Sequence, residues 1–168
     1  WHGDAAITVP VGDVVEADLL LSAACEAALS AGIAAALPDG RLSDISYAVQ
    51  SSIAAAAERN RADYGIVAEY GGHGIGTAMH MDPFLPNHGD PGHGPRLRPG
   101  MALAIEPMIN MGTHKTKTLK DGWTVVTLDG RPSAHVEHTV AVTEEGPEVL
   151  TRLAEPEPVE PQAETASA

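Results

Sequence analysis

Residues 71–83 read GGHGIGTAMHMDP: His73 and His80 lie seven apart on a backbone too rich in glycine for a helix, and a proline closes the run. Glycine carries no Cβ, so main chain of this kind can approach a ligand closely. His73 follows a strand-like run, YGIVAEY (64–70), and reads as part of a glycine loop. Further on, MALAIEPMI (101–109), WTVVT (123–127) and SAHVEHTVAV (133–142) are β-branched or alternating, with Gly, Pro and Asp turns between them. PFLPNHGDPGHGPRLRPG (83–100) has too much proline and glycine for regular structure and reads as a long loop.

Upstream the texture differs. Residues 1–9 carry Ile7, Thr8 and Val9 and suit a strand, which Pro10 and Gly12 break. A helix is expected from Asp13, as its cap, to about Leu37, with Val14, Ala17, Leu21, Ala24 and Ala28 on one face. After a PDG turn (38–40), a second helix is expected from Ser43, with a stripe of Ile45, Ala48, Val49, Ile53 and Ala56, ending at ERNRA (58–62). A strand, two helices and then antiparallel strands imply an α+β domain over 1–153. The acidic, proline-rich tail at 154–168 has no core residues and is expected to be disordered.

With 168 residues, 43% of them hydrophobic, the chain can bury one real core. A net charge of −13 argues against nucleic acid, whose affinity comes from Lys and Arg on phosphates. The single Cys25 excludes an internal disulfide framework and fits a reducing, cytoplasmic compartment. No uninterrupted apolar run of about 18 residues occurs, so no membrane partner is expected.

The chemistry lies among the strands. Glu106 in LAIEPMI and Glu137 in AHVEHTV are carboxylates bracketed by aliphatic residues, costly to bury without a positive partner. With Asp4 in HGDAAI and His73 they make a hard, oxygen-rich ligand set. Such a set suits Mn²⁺, Fe²⁺, Co²⁺ or Zn²⁺ in a hydrolytic site. Each residue alone has a plainer reading: a strand glutamate usually faces solvent and a loop histidine is usually solvated. His2, His88, His93 and His114 take that reading, and Met101, Met108 and Met111 read as packing residues.

Five ordered segments resemble the methionine aminopeptidases, type I, metallopeptidases of the pita-bread fold: HGD (2–4), GGHGIGTAMHMDP (71–83), LRPGMALAIEPMIN (97–110), KDGWTVVTLDG (120–130) and SAHVEHTVAVTEEGPEVLT (133–151). The likeness runs from Trp1 to about Leu150 and implies an antiparallel sheet with two helices on one face. Relatives in that fold cleave beside proline or act on creatine, their glutamate usually in an EPG-like context. Here Glu106 precedes Pro107 and Met108, which favours the methionine-removing branch. A non-catalytic binding protein of the same fold is the alternative from another class.

The resemblance implies Asp4, His73, Glu106 and Glu137 as metal ligands. Asp4 and Glu137 would bridge two divalent ions (Co, Mn, Fe or Zn), while His73 and Glu106 would bind one. His80 would stabilise charge on the scissile carbonyl oxygen, and Glu106 would serve as general base. Met79 and Trp123 would flank the substrate, the N-terminal peptide of a nascent protein; Met79 stands where many relatives have phenylalanine. The pattern also includes an aspartate and a histidine upstream of HGD. The chain begins at Trp1, so it is expected to be the C-terminal part of a longer reading frame. It would then have one metal site incomplete, little activity of its own and exposed apolar surface that favours aggregation. The complete protein is expected to be a monomer.

Overall fold

A computed structural model describes residues 1–152; the tail expected at 154–168 lies outside the described residues. The elements in chain order are β1 (Ala5–Ala6), α1 (Glu16–Ala35), α2 (Leu42–Asn60), β2 (Tyr64–Ile66), β3 (Gly72–Gly74), β4 (Met81–Leu85), β5 (Ala102–Ile105), β6 (Met108–Met111), β7 (Thr116–Thr118), β8 (Val125–Thr127), β9 (Ser133–His135), β10 (Glu137–Thr143) and β11 (Gly146–Val149). The class is α+β, and every strand pairing is antiparallel.

The two helices lie side by side on the strands. Leu21, Ala24, Cys25, Ala28, Leu29 and Gly32 form the buried stripe of α1, and Leu42, Ile45, Ser46, Val49, Ile53 and Ala56 that of α2. Both stripes follow the helical repeat. Each fully buried leucine or isoleucine contributes roughly 1.5–3 kcal/mol. Gly32 marks the closest approach: a Cβ there would lie 2.8 Å from Val49 Cγ2 and 3.1 Å from Ile105 Cγ2. By length and composition α1 could cross a membrane. Packing of its stripe in the core accounts for its apolar character.

Both helix starts differ from expectation. Helix α1 begins at Glu16 with Val15 as N-cap and no side-chain cap, so Asp13 does not cap it. Glu16 and Asp18 in the first turn meet the positive end of the helix dipole instead. In α2, Asp44 Oδ2 accepts the Arg41 N–H at 2.7 Å, so a carboxylate inside the first turn closes the end that Ser43 was expected to open. Ser43 Oγ instead accepts the His93 N–H at 2.8 Å and anchors the long loop.

The six-stranded sheet runs β1-β10-β5-β3-β4, with β11 also on β10; a three-stranded sheet runs β2-β6-β9, and β7-β8 is a separate hairpin. The runs 101–109 and 133–142, each expected to be one strand, are both broken, at Glu106–Pro107 and at Val136. Proline has no N–H for a ladder, so the first break falls where it must. Strand β5 pairs with β10 in one sheet, and β6 with β9 in the other. Both strands therefore change sheets at one level, making a corner. Asn87 Nδ2 donates to Glu106 O at 3.0 Å and the Cys25 thiol to Pro107 O at 3.2 Å, which pins it. Burial pushes the Cys25 thiol up to about 12, so it remains a proton donor there.

Smaller departures follow from local context. Ile7–Val9 lie outside β1, with Ile7 75% exposed. Strand β4 begins at Met81 and runs on into the stretch 83–100 that was expected to be loop, because β3 offers it an edge.

Candidate metal centre and substrate cleft

His73 is the middle residue of β3, a strand and not the expected loop. The strand is wedged between β4 and β5. A Cβ on Gly72 would run into Ala104 O, and one on Gly74 into Asp82 O. These glycines thus serve strand-to-strand approach, where close approach to a ligand was expected. His73 Nδ1 lies 2.9 Å from Gly74 O. A carbonyl can only accept, so Nδ1 carries the proton and Nε2 keeps a free lone pair, the state a metal-binding histidine needs.

Three carboxylates come near that imidazole from three other places. Glu106 sits at the corner between β5 and β6, with Oε1 3.5 Å from His73 Nε2. Glu137 opens β10 and is 4% exposed. Asp4 precedes β1, fixed by Thr139 Oγ1, which accepts the Asp4 N–H and donates to Asp4 O, both at 2.8 Å. Ligand atoms of His73, Glu106 and Glu137 lie within 4.8 Å of one another, as do those of Asp4, His73 and His80. The two groups share His73, so all four ligands expected from the sequence meet around one histidine.

The chemistry of this cluster fits a divalent cation. Glu137 Oε1 is buried with no hydrogen-bond partner, a state that native proteins rarely leave uncompensated. Burial, with the Glu106 and Asp4 charges behind it, pushes the Glu137 carboxyl up to about 7. No lysine or arginine lines the adjoining cleft among the described residues.

His73 and Glu106 of this cluster line an open cleft of about 1380 Å³. His80 lines it, its ring edge-on to His73 with centroids 4.5 Å apart. Trp123 also lines it and is 88% exposed. Met79 is 38% exposed and is not among the lining residues; Met81, two positions on, is. Tyr70, Phe84 and Met108 add apolar wall. Met108 therefore faces the cleft, where plain core packing was expected, while Met101 and Met111 pack on the core.

Sequence reasoning passed over His135. Its Nε2 lies 3.4 Å from Glu106 Oε2. The Glu106 carboxylate beside it raises its pKa, more than offsetting burial. No sequence pattern marks it, because the break at Val136 parts it from Glu137 and only the corner brings it to Glu106.

Residues 1–144 match metallopeptidase family M24. Methionine aminopeptidase 1 of Mycobacterium tuberculosis is 57% identical over 151 residues, covering 90% of this chain and 57% of that protein. The Bacillus subtilis methionine aminopeptidase 1 is 48% identical over 153 residues, 59% of its length. The chain thus spans under two thirds of these relatives. The crystal structure of methionine aminopeptidase from Thermotoga maritima superposes with a TM-score of 0.84 at 40% identity, over 90% of this chain and 58% of that one.

Proposed function

This chain belongs to metallopeptidase family M24, and from that premise we propose that it is part of an enzyme that removes the N-terminal methionine of newly made proteins. The observation that carries the reading is the meeting of Asp4, His73, Glu106 and Glu137, with Glu137 Oε1 buried and unpartnered. Two divalent ions are proposed for the complete site. Asp4, His73, Glu106 and Glu137 would be the residues of this chain that hold them. A divalent ion held there supplies Lewis acidity toward the peptide carbonyl and lowers the pKa of water.

The remaining work belongs to side chains of this chain. Glu106 takes the proton of the attacking water and returns it to the leaving amine. His80, on the cleft side of His73, donates to the oxygen on which negative charge develops. Tyr70, Phe84 and Trp123 give the cleft an apolar wall suited to a methionine thioether. A cytoplasmic, monomeric protein is the setting proposed.

The test is calorimetric titration of the metal-free 168-residue chain with Mn²⁺, alongside release of methionine from a Met-Ala-Ser peptide. One bound cation per chain is expected, with little methionine release, because the upstream ligands of the family pattern are not among these residues. Failure to bind any divalent cation would overturn the reading.

A further inference from the structure

Glu106 is approached by a second imidazole besides that of His73. Its Oε1 is 3.5 Å from His73 Nε2, and its Oε2 is 3.4 Å from His135 Nε2. His135 Nε2 is buried and makes no hydrogen bond within ordinary geometry, so the Glu106 oxygen at 3.4 Å is the polar atom it faces. The His135 backbone is held on both sides: Thr8 Oγ1 accepts its N–H at 3.1 Å and donates to its carbonyl at 2.6 Å. On β6, Met108 is its register partner, two residues beyond Glu106. The ring thus stands on a fixed strand end and points its buried nitrogen at one oxygen of one carboxylate.

We propose that His135 is a positioning residue for Glu106: its Nε2–H holds Oε2, so that Oε1 stays turned toward His73 and the shared ligand focus. This rests on the metal-site reading above. A carboxylate between two acidic neighbours turns away from them unless a donor holds it. A charge-assisted hydrogen bond from an imidazole is the kind of outer contact that orients a metal-binding carboxylate. Asn87, donating to Glu106 O, fixes the main chain but leaves the carboxylate free to rotate, so the side chain needs its own anchor.

The test compares the metal-free chain with its His135→Gln and His135→Leu variants by Mn²⁺ titration calorimetry and by melting without metal. Glutamine keeps a neutral donor of similar reach; leucine keeps bulk and removes the donor. Leucine is expected to weaken Mn²⁺ binding by about 10–100-fold, glutamine by under about threefold, with both metal-free variants melting close to the parent. Should the leucine variant not fold, His135→Ala carries the same expectation. Parent-like affinity in the leucine variant would overturn the proposal, and so would an equal loss in both variants, which would make the imidazole itself a ligand. If the parent binds no Mn²⁺, the metal-site reading falls first and this one with it.

Discussion

Glu137 holds a buried oxygen without a partner, beside the charges of Glu106 and Asp4. Unfolded, its carboxyl titrates near 4.5; folded and without a cation it titrates near 7. Between these values the folded chain keeps a proton that the unfolded chain has lost, so stability falls as pH rises through the window. The raised pKa of His135 acts with the same sign: its stabilising proton is lost at the upper end. The metal-free chain is therefore expected to melt lower at pH 8 than at pH 5.5, with Glu137 contributing on the order of 3 kcal/mol at most. Glu137→Gln should flatten that slope in calorimetric melts and abolish cation binding. Saturating Mn²⁺ should raise the pH 8 melting temperature of the parent, by mass action of about 2.7 kcal/mol at a hundred times the dissociation constant.

At the scale of elements, β3 and the sheet-changing corner carry the site. In Gly74→Ala the added methyl would meet Asp82 O, a backbone atom that cannot swing aside. The cost is expected to exceed about 2 kcal/mol in urea unfolding, at the upper part of the range for overpacking. In Gly12→Ala, where space is open and φ is +69°, about 1 kcal/mol is expected. The helical stripes around Ile45, Val49 and Ile53 were legible in the sequence because burial on one face imposes the helical repeat. Glu106 and Glu137 were legible as members of a cluster because carboxylates among aliphatic residues are costly to bury alone. The breaks at Glu106–Pro107 and Val136 were not: both runs look like single strands, and only pairing to two different sheets divides them. His135 was hidden for the same reason, since its role depends on where that corner brings Glu106.

The whole molecule combines strong like charge with uncovered apolar surface. Ile7, Val9, Val11, Val15 and Leu19, along the N-terminal segment and the first turn of α1, are all exposed. Isolated exposed residues are ordinary, but a run of them is a surface that seeks cover. The net charge of −13 holds copies apart at low ionic strength. At about 1 M salt the screening length falls to roughly 3 Å, and that repulsion is lost. Light scattering is expected to report monomers in dilute buffer and association at high salt. Monomers at both would show this surface to be harmless.

Thr139 grips Asp4 and Thr8 grips His135, one hydroxyl reaching to the short N-terminal segment and the other reaching out from it. That segment buries none of its large apolar side chains, for Trp1, Ile7 and Val9 all face solvent. Two threonine hydroxyls, the His2 N–H on Gly76 O and a two-residue ladder are what dock it. Docking of this kind opens at far less free energy than the core requires. Asp4 thus rides on a lightly docked segment, so the cluster is expected to open from that side before the core does. Amide protons of residues 4–8 should exchange ahead of those in β10, and a bound cation should slow them most.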